Sequence, residues 1–160
     1  MSHSLDDIDK TILMELQKEG RAQRNKLSEI VKLSVPSVSE RMRKLENNGL
    51  IKGYHAVLDD KKFNFDILAF VSVEVDDSSL YKKFVAQAME EPEVLECHSI
   101  TGDGSHFLKI RTHNTETFEK LLSRIQTWEG VNKTRSNVTL TSFKETREIP
   151  IYQSKDVEID

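Results

Sequence analysis

The feature that most constrains this chain is a strand-helix-strand pattern that occurs twice between residues 67 and 144. Each copy has an alternating apolar strand, a helical apolar stripe and a second strand. The second copy repeats the first 37 positions later, pairing Val71 with Leu108, Val73 with Ile110, Phe84 with Leu121, Val85 with Leu122, Ala88 with Ile125 and Val94 with Val131. This β-α-β-β-α-β order predicts a ferredoxin-like domain, in which two helices cover one face of an antiparallel sheet. We expect its last strand to end near Phe143.

The other face of that sheet is predicted to be buried against a second copy of the chain. Phe70 lies beside Val71 and Phe107 beside Leu108, so two strands carry apolar side chains on both of their faces. One face packs under the helices, and the other needs a partner to leave water. We therefore expect a homodimer formed through the sheets.

Three short helices are predicted in residues 1–50. The first ends at Gly20, and the second, over Leu27–Val31, has Asn25 as its expected cap. The third begins at Ser34, a favourable N-cap residue, and runs to Asn48. Two short helices separated by about three residues have the spacing of a helix-turn-helix, whose second helix enters the major groove of DNA.

The charge distribution also separates this segment from the rest of the chain. The whole chain has a net charge of −4, but residues 21–52 hold eight basic and three acidic side chains, a balance of +5. Residues 61–160 hold 13 basic and 17 acidic side chains, a balance of −4. A basic segment on an acidic body is typical of a protein that presents one face to phosphates. A solvated helix face of mixed charge explains the same count equally well.

The third helix has one apolar face and one polar face. Val38, Met42 and Leu45 cluster on the face expected to pack inward. On the outward side, the expected base-reading residues are Ser37, Ser39, Glu40 and Arg43. The expected phosphate-binding residues are Arg21, Arg24, Lys26, Arg41 and Lys44. The alternative is a three-helix bundle that contacts other proteins, but the short hydroxyl side chains on the polar face favour DNA.

The sequence thus predicts an α+β chain in four parts. A helix-turn-helix DNA-binding domain of three helices occupies residues 1–50. The β-rich stretch from Gly49 to Leu58 could form a wing beside the DNA or a strand between domains; we predict a hinge strand, within a linker over residues 51–66. The ferredoxin-like domain, which is also the expected site of dimer formation, covers residues 67–144. Residues 145–160 form a polar tail, apart from Ile149–Tyr152, that docks on a neighbour or frays.

Short motifs along nearly the whole chain, from about Leu5 to Phe143, have a familiar order and spacing. They are Leu5-Asp6-Asp7-Ile8-Asp9, Gly20-Arg21, Leu27-Ser28-Glu29, Arg41-Met42-Arg43-Lys44-Leu45-Glu46, Gly49-Leu50-Ile51, Pro92-Glu93-Val94, Thr101-Gly102, Leu108-Lys109-Ile110 and Gly130-Val131-Asn132-Lys133-Thr134-Arg135. Together they resemble the leucine-responsive regulatory protein/AsnC family, the feast-or-famine transcriptional regulators of bacteria and archaea.

The resemblance implies a sequence-specific regulator that forms dimers through its ligand-binding (RAM) domains, often assembled into octamers that wrap DNA. It also implies an effector, usually an amino acid, bound between dimers near the loop Gly102–His106. In the family this loop commonly reads Gly-x-x-Asp-aromatic, and the Asp helps to hold the amino group of the ligand. Ser105 replaces that acid here, so Asp103 could supply the charge, or Asp103-Gly104 could only form a tight hairpin turn. The effector candidates are Gly102, Asp103, Gly104, Ser105, Thr134 and Ser136, and a regulator that needs no ligand is the alternative.

Other classes of protein have little support in the sequence. No apolar run approaches the roughly 20 residues of a membrane helix, and the N-terminus lacks the pattern of a secretory signal. One cysteine, Cys97, suits a reducing cytoplasm. Cys97 and His98 are neighbours on a strand and point to opposite faces, so no metal site or cofactor is expected. No catalytic constellation occurs, so we expect no enzyme; a ferredoxin-like enzyme with a helical appendage and an architectural DNA-binding protein of low specificity remain as alternatives.

Overall fold

In a computed structural model, which describes residues 3–151 and 158–159, the chain divides into two compact units. One comprises residues 1–57 with residues 144–160, and the other comprises residues 58–143. The helices are α1 Asp7–Lys18, α2 Arg24–Val31, α3 Val35–Asn47, α4 Tyr81–Glu90 and α5 Thr115–Gln126. The strands are β1 His3–Ser4, β2 Ile67–Val75, β3 Val94–Ser99, β4 His106–Thr112, β5 Val131–Val138 and β6 Glu158–Ile159. Two short 3₁₀ helices, Asp60–Phe63 and Ser78–Leu80, precede β2 and α4.

The first unit is the predicted set of three helices. Its core is formed by the apolar faces of α1, α2 and α3, with Ile12, Leu27 and Val38 fully buried. The Asp6 side chain caps α1 by accepting from the Asp9 amide at 2.8 Å, and Ser34 caps α3 as expected. The prediction of Asn25 as the cap of α2 was wrong. That helix begins at Arg24, and its N-cap, Gln23, makes no capping bond through its side chain.

The turn between α2 and α3 depends on one residue in a left-handed conformation. Lys32 has φ +55°, a backbone angle that residues other than glycine adopt at an energetic cost. The Leu33 amide donates to the Ser28 carbonyl at 3.2 Å, and the Ser28 hydroxyl donates to the Leu33 carbonyl. These bonds fix the change in chain direction between α2 and α3, as in a helix-turn-helix.

The second unit is the predicted ferredoxin-like sandwich. Its four strands pair antiparallel in the order β3-β4-β2-β5. Alternate residues of β2 and β4 pack under α4 and α5, with Val71, Phe84, Leu108 and Leu121 fully buried. The two copies of the β-α-β pattern thus form one sheet and one core, and this prediction is confirmed.

Two expectations about the strands were wrong. The last strand ends at Val138 and not near Phe143, and the predicted hinge strand does not form. Across the described residues, no neighbouring strand pairs with residues 49–58, and a β-rich sequence without a partner does not make a strand. Residues 144–151 return to the N-terminal unit, while the expectation for residues 152–157 and 160 lies outside the described residues.

Candidate DNA-binding helix and effector site

Helix α3 presents a polar surface opposite its buried face. Val38, Met42 and Leu45 are buried against α1 and α2, which fixes the rotation of the helix about its axis. Ser37, Glu40, Arg43, Lys44 and Asn47 are exposed. The surface that a DNA duplex would meet is therefore made of hydroxyl, carboxylate, guanidinium, ammonium and amide groups.

The expected base-reading residues are partly engaged with one another. The Arg43 guanidinium donates two hydrogen bonds to Glu40, at 2.7 and 3.0 Å, and this partner lowers the pKa of the Glu40 carboxyl. The Ser37 hydroxyl lies 2.8 Å from that of Ser34. The Ser39 hydroxyl donates to the Val35 carbonyl at 2.9 Å and is only partly exposed. Arg43 and Glu40 therefore form an exposed hydrogen-bonded pair on this face.

The expected phosphate-binding residues fall into two groups. Arg21, Arg24 and Lys44 are exposed, and among the residues that the structure describes no carboxylate pairs with them. Lys26 is also exposed but forms an ion pair with Glu19 at 2.5 Å, which raises the pKa of Lys26. An exposed pair of this kind contributes little to stability, so the ammonium can exchange its carboxylate for a phosphate.

Arg41 differs from the other cations of this region. Its guanidinium donates to Asp6 at 2.7 Å and to Asp9 at 2.8 Å, and the side chains of Arg41 and Asp9 are only 28 % and 8 % exposed. The pairing joins α3 to the start of α1. The structure therefore argues against the expected role of Arg41 as a phosphate contact and gives it a role in helix packing.

The loop between β3 and β4 forms one wall of an open cleft of about 480 Å³. Ser105 holds this loop to β2: its amide donates to the Val73 carbonyl at 2.9 Å, and its hydroxyl accepts from the Val75 amide at 3.1 Å. Gly104 has φ +100°, and a Cβ at this position would lie 2.9 Å from the Val73 carbonyl oxygen. The loop therefore approaches β2 as closely as a glycine allows.

The cleft contains more charge than the sequence analysis expected. Besides Gly102 to Ser105, it is lined by Ser72, Glu74, Val75, Tyr81, Ser99, Ile100, Lys133 and Arg135. Arg135 donates to Asp103 at 2.8 Å, so Asp103 is a partner of a cation and not only a turn residue. Lys133 and Glu74 lie directly opposite each other on β5 and β2. The site thus combines cations and carboxylates on one surface.

Thr134 and Ser136, expected as effector contacts, do not line this cleft. They lie opposite Val73 and Val71, whose side chains face the helices, and residues opposite one another on a sheet share a face. The Thr134 hydroxyl accepts instead from Gln126 of α5 at 2.9 Å. The residues that face the cleft are their neighbours on β5, which sequence reasoning missed because the strand register that decides the face was unknown.

A buried histidine follows Ser105 at the end of the loop between β3 and β4. His106 is 1 % exposed, packs against the rings of Tyr81 and Phe84, and shares a hydrogen bond of 2.9 Å with the Ser105 hydroxyl. Burial lowers the pKa of the His106 imidazole. The neutral imidazole of His106 therefore helps to position the Ser105 hydroxyl through this hydrogen bond.

Two models of protein families match this chain. A model described as winged helix-turn-helix DNA-binding matches residues 5–52, and one described as Lrp/AsnC ligand binding domain matches residues 68–149. Together with the fold, these matches define a DNA-binding transcriptional regulator with a ligand-binding domain. The chain belongs to the Lrp/AsnC family, as its motifs predicted. The relatives are regulators and not enzymes, which confirms the expectation of no catalytic role.

Individual relatives agree with this assignment over almost their whole length. The HTH-type transcriptional regulator FL11 of Pyrococcus furiosus is 35 % identical over 147 residues, covering 92 % of this chain and 97 % of the relative. The leucine-responsive regulatory protein of Salmonella typhimurium is 35 % identical over 150 residues, covering 92 % of each. A transcriptional regulator of Neisseria meningitidis, solved in complex with L-methionine, superposes with a TM-score of 0.88 at 30 % identity, covering 92 % of this chain and 97 % of the other.

Within residues 3–151 and 158–159, no group of three histidine, cysteine or carboxylate side chains could hold a metal ion. The same residues include no helix long and apolar enough to span a bilayer.

Proposed function

We propose that this chain is a sequence-specific transcriptional regulator that inserts the exposed face of α3 into the DNA major groove. The observation that carries the proposal is the division of α3 into a fully packed apolar face and an exposed face of short polar and basic groups. Base reading is assigned to Ser37, Ser39, Glu40 and Arg43, and phosphate contacts are assigned to Arg21, Arg24, Lys26 and Lys44.

Two neighbouring residues of α3 test this division of roles. Arg43→Ala should weaken binding to a selected operator more than binding to unrelated duplex DNA. Lys44→Ala should weaken both and reduce the slope of log affinity against log salt by roughly one unit, the effect of one lost phosphate contact. Fluorescence anisotropy at several salt concentrations measures both quantities. Equal losses for the two variants on both kinds of DNA would contradict the assignment.

The main alternative is an architectural protein that binds DNA with low specificity. Footprinting on the chromosomal region upstream of its own gene separates the two functions. A specific regulator protects discrete half-sites on one face of the duplex, spaced by about one helical turn or a multiple of it. Protection spread evenly over unrelated DNA would favour the architectural role. Because its partner is chromosomal DNA, we propose the cytoplasm as the place of action.

A homodimer through the open sheet face is the second part of the proposal. Phe70 and Phe107 stack on that face with ring centroids 5.8 Å apart and remain partly exposed in the single chain. Burying paired aromatic rings is a strong contribution to an interface. Phe70→Asp should therefore convert the dimer to single chains in analytical ultracentrifugation, whereas Phe143→Asp, at a fully exposed position, should not. Further assembly into octamers is expected from the family resemblance, and the same experiment tests it.

An amino acid bound at the Gly102–Ser105 cleft is the third part of the proposal. A zwitterion needs an anionic and a cationic partner, and the cleft offers both in Glu74 and Lys133. The Neisseria relative in complex with L-methionine supports this class of ligand. The Ser105 hydroxyl is engaged with β2, so we assign the ammonium group of the ligand to a carboxylate elsewhere in the cleft.

A thermal-shift screen of the twenty amino acids tests this ligand class. A ligand that binds only the folded chain raises the melting temperature in proportion to the logarithm of its concentration. Lys133→Ala should abolish the shift, whereas Lys82→Ala, on the exposed side of α4, should retain it. If no amino acid gives a shift, the chain regulates without such a ligand.

A further inference from the structure

We propose that the C-terminal segment Ile149–Ile151 is a strap that belongs to the DNA-binding unit and docks on α1. The segment lies after the ligand-binding domain in the chain, yet its contacts are made with the first helix. No part of the helix-turn-helix prediction requires it. The docking is an interaction between two segments of the same unit that are 132 residues apart in sequence.

The Gln17 side chain forms this contact by hydrogen bonding to the backbone of the strap. The Gln17 amide group donates to the Ile149 carbonyl at 3.1 Å and accepts from the Ile149 amide at 2.8 Å. A primary amide satisfies both backbone groups of one residue, as a neighbouring strand would. The Ile151 amide then donates to the Ile149 carbonyl at 2.9 Å, which turns the chain after the contact. The backbone of the strap therefore has a defined position on α1.

An apolar cleft of about 460 Å³ lies between the strap, α1 and the residues that follow α3. Ile149 and Ile151 line it together with Leu13, Leu16, Leu50 and Ile51. Ile149 is still 65 % exposed, so the backbone hydrogen bonds, more than side-chain burial, hold the strap in place. A segment with few buried apolar contacts opens at low cost, and the docking is accordingly reversible.

The strap lines the same cleft as the residues that follow α3. Leu50 and Ile51 both donate their amides to the Leu45 carbonyl, at 3.0 and 3.1 Å, and both line the cleft on which the strap closes. Tyr54, another lining residue, donates its hydroxyl to Glu46 of α3 at 2.9 Å. The docked strap therefore shares one cleft with residues that hydrogen-bond to the C-terminal end of α3.

Hydrogen exchange on the full-length chain tests the docking. In the wild type, the amides of Ile149 and Ile151 should exchange more slowly than those of an unstructured peptide. Gln17→Ala should accelerate the exchange of the Ile149 amide by about tenfold, the factor expected from one or two net hydrogen bonds. Lys18→Ala, at the adjacent position of α1, should leave it unchanged. Exchange in the wild type at the unstructured rate, or equal effects of the two variants, would overturn the proposal.

A double-mutant cycle tests whether the strap stabilises the DNA-binding unit. Ile149→Pro removes the amide that donates to Gln17, and the chain keeps its full length. Ile149→Pro and Gln17→Ala should each lower the melting temperature of the N-terminal unit, which far-UV circular dichroism measures. The melting temperature of the double variant should be no lower than that of the less stable single variant. The DNA affinity of both variants should fall in parallel. Additive effects, an unchanged melting temperature, or an unchanged DNA affinity would each refute a docked strap that supports DNA binding.

Discussion

The ion pair between Arg41 and Asp9 gives the sharpest test of the DNA-binding unit. Breaking a fully buried pair costs about 3–5 kcal/mol, because the remaining charge stays buried without a partner. An exposed pair contributes less than about 1 kcal/mol. Asp9 is 8 % exposed but Arg41 is 28 % exposed, so we expect Arg41→Met to cost about 2 kcal/mol, between these limits. For a unit of this size, that loss lowers the melting temperature by about 10 °C.

Circular dichroism and tryptophan fluorescence separate the two units in this experiment. Trp128 packs on Phe84 in the ligand-binding domain, so its fluorescence reports that domain, while helical dichroism reports both. Arg41→Met should shift only the dichroism transition. Arg43→Met is the matched control, since the same side chain is removed from the same helix at an exposed pair. If both variants shift the transition equally, the pairing with Asp9 does not hold the unit together. If Arg41→Met leaves stability intact and lowers the salt slope of DNA binding, Arg41 contacts a phosphate after all.

The second carboxylate partner of Arg41, Asp6, predicts how the stability of the unit depends on pH. Burial opposes ionisation of Asp6, but the Asp9 amide and the Arg41 guanidinium outweigh it, and the pKa of Asp6 is lowered. A carboxyl whose pKa is lower in the folded chain contributes stability above its unfolded value of 3.8, and this contribution is lost as the pH falls through the folded value. Below about pH 4 the N-terminal transition should therefore move to lower temperature, and less so in Arg41→Met, which already lacks the pair.

Three further predictions concern the loop, the histidine and the exposed pair. Gly104→Ala should lower the melting temperature of the ligand-binding domain more than Gly102→Ala, because both have positive φ but only at Gly104 does a Cβ meet the backbone; equal losses would contradict this. Since burial lowers the pKa of His106, the domain should be most stable above pH 6.5 and lose stability as the pH falls toward the folded value, whereas His106→Phe should abolish this loss in fluorescence melts. Glu40→Gln should free Arg43 and raise affinity for unrelated DNA in fluorescence anisotropy; an unchanged affinity would show that the pair does not restrain Arg43.

The elements that sequence reasoning predicted best are those whose apolar periodicity lies within a single segment. The stripe of Val38, Met42 and Leu45 identified the buried face of α3, and the repeated pattern identified the sheet with its two helices. Both depend on spacings that a single segment contains. The family motifs added the function, because a fold alone does not specify one.

The failures share a different physical cause, since each depended on a partner distant in sequence. The segment 49–58 is β-rich, but a strand needs a neighbour, and the described part of this single chain offers none. Thr134 and Ser136 were assigned to the cleft without the register that turns them toward the helices. The hydrogen bonds between the Gln17 side chain and the Ile149 backbone join positions 132 residues apart, and no local sequence pattern indicates them.

The charge of residues 21–52 shows why pairing, and not only composition, decides what a basic segment binds. The eight basic side chains of this segment include five predicted phosphate contacts, namely Arg21, Arg24, Lys26, Arg41 and Lys44. In the structure, Lys26 and Arg41 pair with carboxylates outside that segment, and Arg43 pairs within it. An exposed pair exchanges a carboxylate for a phosphate at little cost, whereas moving Arg41 would leave Asp9 buried and unpaired. The salt dependence of DNA binding should therefore include Lys26 among the phosphate contacts, with a slope contribution of roughly 0.9, and exclude Arg41.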